Sequence, residues 1–181
     1  GDIQARGFLL GATAGRTTLA GEGLQHQDGH SHILALPNPS LLAYDPAFAF
    51  EIAVIVREGL QRMLEAGENL VYYLTITNEF YPMPKMPDGV EEGILKGLYK
   101  FSSSSMKKPV GRAHLLGSGA LFNECLKAKK LLESDYGVAT DLWSVTSYNE
   151  LRREAQDVDR WNMLHPLEEA RVSYIEKCLK D

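Results

Sequence analysis

Between Glu22 and His32 the sequence gathers Glu22, His26, Asp28, His30 and His32 among the small residues Gly21, Gly23 and Gly29. Most side chains in this stretch can donate, accept or titrate. Histidine changes charge nearest neutral pH, so histidines beside carboxylates suit proton transfer, with Glu22 and His26 as the pair. A second chemistry is open to the same residues: a metal-binding module through His26, Asp28, His30 and His32, whose alternation would bring ligands to one side of an extended strand. Gly29 and Ser31 favour a loop over a strand there, and the spacing matches no strong zinc signature. A third reading gives His30 and His32 a supporting part, hydrogen-bonding to backbone groups and holding the loop.

A chemical loop needs elements to carry it. Residues 1–40 show little periodicity after Gly7-Phe8-Leu9-Leu10-Gly11, a length that marks a functional loop more often than an idle connection. Beyond it, strand and helix signals alternate. Leu41 to Tyr44 is a short apolar run, and Asp45-Pro46 predicts a helix start because Pro is well tolerated in a first helical turn. Apolar residues at Phe48, Ile52, Ile55, Val56, Leu60, Met63 and Leu64 follow a helical period to a stop at Gly67. Leu70 to Thr77 has the nearly continuous apolar, β-branched and aromatic character of a strand buried on both faces of a parallel sheet. Pro82, Pro84 and Pro87 break regular structure, and Val90 to Leu98 resumes as a short helix. Ser102 to Ser105 with Lys107, Lys108 and Pro109 has the composition of a flexible connector, which places a linker at 102–111. After it come a strand at Ala113–Leu116, a helix at Ala120–Leu132, a strand at Thr140–Val145 and a helix at Tyr148–Ala155, predicting a second parallel α/β unit.

Composition narrows the function. With 44% hydrophobic and 24% charged residues over 181 positions the chain has the material for a core, and it lies outside the disordered class. A formal charge of −5 without a basic cluster argues against a nucleic-acid backbone partner, because phosphates are neutralised by Lys and Arg. No apolar run approaches the roughly 20 residues of a membrane span. Cys125 and Cys178 stand in no metal or redox spacing and read as two reduced thiols of a cytoplasmic protein. Gly117-Ser118-Gly119 lacks the third glycine of a dinucleotide fingerprint, since Phe122 stands there, and predicts a tight strand-to-helix turn.

Several segments together resemble the homodimeric type of pyruvate dehydrogenase first component. They are Ala5-Arg6-Gly7-Phe8-Leu9, Gly15-Arg16-Thr17-Thr18-Leu19, Gly21-Glu22-Gly23-Leu24-Gln25-His26, Asp28-Gly29-His30-Ser31-His32, Tyr44-Asp45-Pro46, Tyr72-Tyr73, Glu91-Glu92-Gly93, Leu115-Leu116-Gly117-Ser118-Gly119, Ser144-Val145-Thr146-Ser147 and Arg160-Trp161-Asn162-Met163-Leu164-His165-Pro166. They run from end to end of the chain. The resemblance implies an α/β fold: residues 1–101 as the end of the middle, pyrimidine-binding domain of a thiamine diphosphate enzyme, and 112–181 as the start of a transketolase-like C-terminal domain, with parallel sheets flanked by helices. It also implies an oxidoreductase that decarboxylates pyruvate with thiamine diphosphate and magnesium. The acetyl unit would pass to the lipoyl domain of the dihydrolipoamide acetyltransferase. In the family the positions matching Glu22 and His26 lie in the active site near the reactive thiazolium carbon, with Asp28, His30 and His32 as possible support.

The same resemblance marks what this stretch lacks. The Gly-Asp-Gly segment that holds magnesium and the diphosphate is absent, as is the glutamate that activates the aminopyrimidine. The piece is therefore expected to be an internal fragment, inactive alone, of a chain that works as a homodimer. Gln27 stands where the family commonly has an acidic residue, which removes a charge beside His26, and Phe80 stands where it commonly has Asn. Against the oxidoreductase reading stand the metal module and a non-catalytic α/β interaction domain.

Overall fold

The computed structural model describes residues 3–11, 30–77 and 80–180, and they form two sheets with a shared seam. The first sheet is built from β1 (Gly7–Gly11), β2 (Leu41–Tyr44) and β3 (Val71–Thr75), in the order β1-β3-β2 and parallel throughout. β3 sits in the middle, with Tyr72 1% and Leu74 0% exposed on one face and Val71 and Tyr73 partly buried on the other. α1 (Ser31–Ala35) precedes β2, and α2 (Ala49–Leu60) follows it and runs on through a wider π-helical turn, Gln61–Glu65.

α2 starts three residues beyond Pro46. Its capping residue is Phe48, and the third helical residue, Glu51, reaches back to accept from the Phe48 N–H. Past the far end, Gly67 takes a left-handed φ of +74°, and Arg6 binds the Met63 and Gly67 carbonyls at 2.9 and 2.6 Å. One guanidinium thus satisfies carbonyls that the ending helix would leave open.

α3 (Glu91–Lys96) leads into the second sheet, made of β4 (Tyr99–Ser102), β5 (Gly111–Gly117) and β6 (Val138–Ser144) in the order β4-β6-β5. β5 and β6 are parallel, but β4 runs antiparallel to β6. The parallel pairing expected of the strands at 113–116 and 140–145 is found in β5 and β6, β4 adds an antiparallel strand to them, and residues 99–101, read with the first unit, pair in the second sheet. Eight residues, 103–110, join β4 to β5, too few for the crossover that two parallel strands require. α4 (Phe122–Tyr136), α5 (Tyr148–Leu164) and α6 (Tyr174–Leu179) complete the unit. α5 continues nine residues past its predicted end, where an Arg171–Trp161–His165 stack, at 3.8 and 4.4 Å, supports its last turns.

The serine run predicted as a flexible connector is tied down. The Ser104 N–H donates to Asp141 at 2.8 Å, and Lys129 donates to the Ser103 carbonyl at 3.1 Å. Composition reports how little apolar surface a segment has, while the polar partners that fix this one come from α4 and β6.

The two units share aromatic packing. Phe48, 1% exposed, meets Phe122 edge-on with centroids 5.4 Å apart and lies 5.6 Å from Phe101. Burying a ring of this kind contributes roughly 1.5–3 kcal/mol. The turn from α3 into β4 adds a backbone contact, since Gly97 (φ +98°) accepts the Ser147 N–H at 3.2 Å. A Cβ on Gly97 would lie 2.3 Å from the Ser147 carbonyl oxygen. Gly97→Ala is therefore expected to destabilise the protein by about 2–4 kcal/mol, from the left-handed backbone and the overlap together. The midpoint of urea unfolding checks it, and an unshifted midpoint would show that the turn relaxes freely.

Candidate functional site

Of the residues singled out for chemistry, Glu22, His26 and Asp28 lie outside the described residues. The described residues on either side of the stretch that carries them are the end of β1 and the start of α1. At the first point Gly11 pairs with Thr75 and its carbonyl accepts the Ile76 N–H at 3.0 Å. At the second, His30 caps α1 and its carbonyl accepts the Leu34 N–H at 2.9 Å. Both attachments sit at the C-terminal ends of parallel strands or beside them, where open α/β sheets place their ligands.

His30 is the cap of α1 and His32 lies in its first turn, so the two do not alternate along an extended strand. The extended-strand alternation behind the four-ligand metal reading is thus not formed at its His30–His32 end. Among the described residues no group of three or more His, Cys, Asp or Glu is placed to hold a metal ion. His32 is half-buried with its ring edge-on to Tyr73 at 5.4 Å, and its carbonyl accepts from Asn149 Nδ2 at 2.8 Å.

The strand ends meet at Asp45, directly after β2. Its carboxylate accepts the hydroxyl of Thr75 at the end of β3, and the Ser118 hydroxyl after β5 at 2.8 Å. Its N–H donates to the Thr146 carbonyl after β6 at 2.7 Å, and its carbonyl accepts the Gly119 N–H at 3.0 Å. One residue therefore joins the ends of four strands from two sheets. Gly119 (φ +51°) is needed for this approach, because a Cβ there would stand 2.6 Å from Asp45 Oδ1. That explains the Gly117-Ser118-Gly119 turn without any nucleotide.

Beside Asp45 opens a cleft of about 530 Å³, lined by His32, Leu115, Leu116, Ser118, Leu121, Cys125, Tyr148 and Asn149 among others. Burial pushes the Cys125 thiol up, with Glu124 adding to the effect, and burial, Cys125 and Asp45 push the Tyr148 phenol up. Neither group is poised to ionise near neutral pH. In the sequence Asp45 reads as part of a helix start and of a segment that resembles the family, Tyr148 reads as the first residue of a helix, and no pattern marks either of them or Asn149 for this cleft. Asp45 could have been noticed only as a polar residue ending an apolar strand.

A second polar node lies deeper. Glu51 is fully buried, and its Oε2 accepts the N–H groups of Ala47 and Phe48 at 2.5 and 3.0 Å. Its Oε1 meets the hydroxyls of Tyr99 on β4 and Ser144 on β6, each at 2.7 Å. Burial pushes the Glu51 carboxyl above the usual carboxylate range, and the four hydrogen bonds oppose that shift without cancelling it.

Two α/β units with their strand ends facing a common seam define a transketolase-like class. Residues 1–84 match the pyruvate dehydrogenase E1 component middle domain, and residues 97–181 match the transketolase-like TK C-terminal domain. A transketolase from Pichia stipitis superposes with a TM-score of 0.56 at 16% identity, covering 82% of this chain and 20% of that one. One from Leishmania mexicana gives 0.55 at 14% identity, covering 80% and 19%. At these identities the likeness establishes the fold alone. In sequence, the chain is 56% identical to the pyruvate dehydrogenase E1 component of Escherichia coli (strain K12) over 100% of its own length, and 52% identical to that of Pseudomonas aeruginosa over 99%. The chain belongs to the pyruvate dehydrogenase E1 component family. It spans 20% of the length of those two relatives.

Proposed function

We propose that this chain supplies one wall of the active site in an enzyme that decarboxylates pyruvate and transfers the acetyl unit to a lipoyl group, with Glu22 and His26 as its working residues. The observation that carries the reading is identity of 56% to a pyruvate dehydrogenase E1 component across the full chain, including the stretch that holds both residues. The described residues that flank that stretch, Gly11 at the end of β1 and His30 at the start of α1, support it. The division of labour follows the two matched segments, with the chemical loop in the first and its backing in the second. Homodimer formation, the lipoyl domain of the acetyltransferase as acceptor and a cytoplasmic setting belong to the same proposal. Among the described residues no helix is long and apolar enough to cross a membrane.

Thiamine diphosphate and magnesium are the cofactors proposed for the complete protein, where thiamine supplies the nucleophile and the electron sink. The described residues do not fit the charged end of that group. They offer no cluster for magnesium, and the cleft at Asp45 is lined largely by apolar side chains. The diphosphate is therefore assigned to parts of the longer protein. What this chain contributes is electrostatic: an imidazole at His26 can hold a proton at the substrate oxygen on which negative charge develops, and Glu22 can orient that ring.

The complete protein, supplied with both cofactors, is expected to release CO₂ from pyruvate in an artificial electron-acceptor assay, and pyruvate-independent background alone would reject the reading. Titration calorimetry of the 181-residue chain with thiamine diphosphate and magnesium is expected to show no binding, whereas micromolar affinity would place the cofactor cradle within this chain.

A further inference from the structure

α1 does not hold itself in place. A five-residue helix forms few of the bonds that offset the entropy of its first turn. Its apolar contacts are sparse as well, with Ile33 64% and Leu34 73% exposed and only Ala35 buried. Its His30 cap makes no side-chain capping bond.

Beside the ring contact of His32 with Tyr73, side-chain hydrogen bonds hold it from α5, in the other unit. Arg153 Nη2 points at four backbone carbonyls, those of Ala35, Leu36, Asn38 and Leu41, at 3.1, 3.3, 2.7 and 2.9 Å. They belong to a helix end and the turn that follows it, where the Ala35 and Asn38 carbonyls also accept the N–H groups of Asn38 and Leu41. Glu150 holds the guanidinium from behind, accepting from Nη1 at 2.7 Å. Asn149, one helical turn before Arg153 on the same face, donates to the His32 carbonyl at 2.8 Å. A planar fork suits this grip, and the compact ammonium of a lysine could not reproduce it.

We propose that Arg153, assisted by Asn149, is a positioning residue for the reaction: it clamps residues 31–41, which directly follow in sequence the stretch carrying Glu22 and His26, to the second unit. The inference rests on the function proposed above. The other attachment, at Gly11, is secured by sheet pairing within the first unit. The clamp therefore gives the transketolase-like unit a direct part in placing the chemical loop. Displacements of about 1 Å remote from the chemistry can cost roughly 10²-fold in rate.

The test uses the complete enzyme with Arg153→Ala, Arg153→Lys and, as a surface control, Arg152→Ala. Two quantities are read: hydrogen–deuterium exchange of the peptide covering 31–41, and kcat with KM for pyruvate. Arg153→Ala is expected to speed exchange in that peptide at least about tenfold and to lower kcat about 10- to 100-fold with KM changed less than about threefold. Guanidinium at millimolar concentration should restore part of kcat, and Arg152→Ala should match wild type. Arg153→Lys should fall between, and it keeps the test readable if the alanine variant does not fold. Unchanged exchange in both Arg153 variants overturns the clamp. Faster exchange with kcat within about twofold of wild type, or no rescue by guanidinium, overturns the positioning role. A wild-type enzyme that does not turn over pyruvate overturns the functional reading and this role with it, and that outcome is visible before any variant is compared.

Discussion

Replacing His26 with alanine in the complete enzyme is expected to slow pyruvate decarboxylation by about 10²–10⁴-fold, the usual effect of removing a positioned acid–base group. The reasoning is chemical. Loss of CO₂ needs a site for the negative charge that the carbonyl oxygen and the carboxylate carry in turn, and an imidazole can share its proton with either at little energetic expense near neutral pH. Glycines at 21, 23 and 29 give the backbone around it freedom to approach a substrate closely. Because alanine removes the ring and adds no bulk, the effect should fall on kcat, leaving the unfolding midpoint within a degree or two of wild type. Single-turnover release of CO₂ measures the chemical step itself. A rate within threefold of wild type would exclude His26 from that step and leave the loop a purely structural feature.

Glu51→Ala is expected to lower stability by on the order of 4 kcal/mol or more. Truncation abandons two backbone N–H groups and the hydroxyls of Tyr99 and Ser144 in a buried seam, and each unsatisfied buried group costs about 1–3 kcal/mol. A domain whose net stability is roughly 5–15 kcal/mol has little margin for that. Glu51→Gln should behave differently. Oε2 faces N–H groups, which can only donate, so that position must hold an acceptor. Oε1 faces two hydroxyls, which can accept as readily as donate. A glutamine with its oxygen toward Ala47 and Phe48 and its amide nitrogen toward Tyr99 and Ser144 satisfies every partner.

The sign of the pH dependence follows from the same geometry. Burial holds the folded carboxyl above its unfolded value of 4.5. The group's contribution to stability is therefore fully present below that unfolded value and is lost as pH rises through the folded one. Against the wild type, Glu51→Gln should gain relative stability on that rise and show no advantage in acid. Urea midpoints of the two proteins across pH 5–8 provide the comparison. Equal losses for Gln and Ala at every pH would mean that the seam requires the charged carboxylate.

Elements with a strong local signal were legible without coordinates. The apolar, aromatic run around Tyr72 and Leu74 announced a central parallel strand, and the structure buries the Tyr72 and Leu74 face fully and the Val71 and Tyr73 face in part. The spacing of Phe48, Ile52, Ile55 and Met63 announced α2 in the same way. Weaker signals failed. β1 is a short apolar run between two glycines and is a strand only because β3 lies beside it. β4 alternates Tyr99, Lys100, Phe101 and Ser102, too short a pattern to outweigh the serines that follow. α1 shows no helical stripe because its turn is fixed by carbonyls gripped from outside.

By itself, then, the sequence determined the family, the order of the main strands and helices, and the stretch that holds Glu22 and His26. Those properties rest on local pattern and on long matched segments. The tertiary structure alone decided the seam: Asp45 joining four strand ends, Glu51 bonded to residues 48 and 93 positions away, and Arg153 holding carbonyls 112–118 positions back. The physical reason is that a polar side chain's hydrogen-bond partner leaves no periodic trace in the chain. Asp, Glu and Arg have the same letter whether they face water or fasten two sheets together, and only the folded path of the backbone decides which.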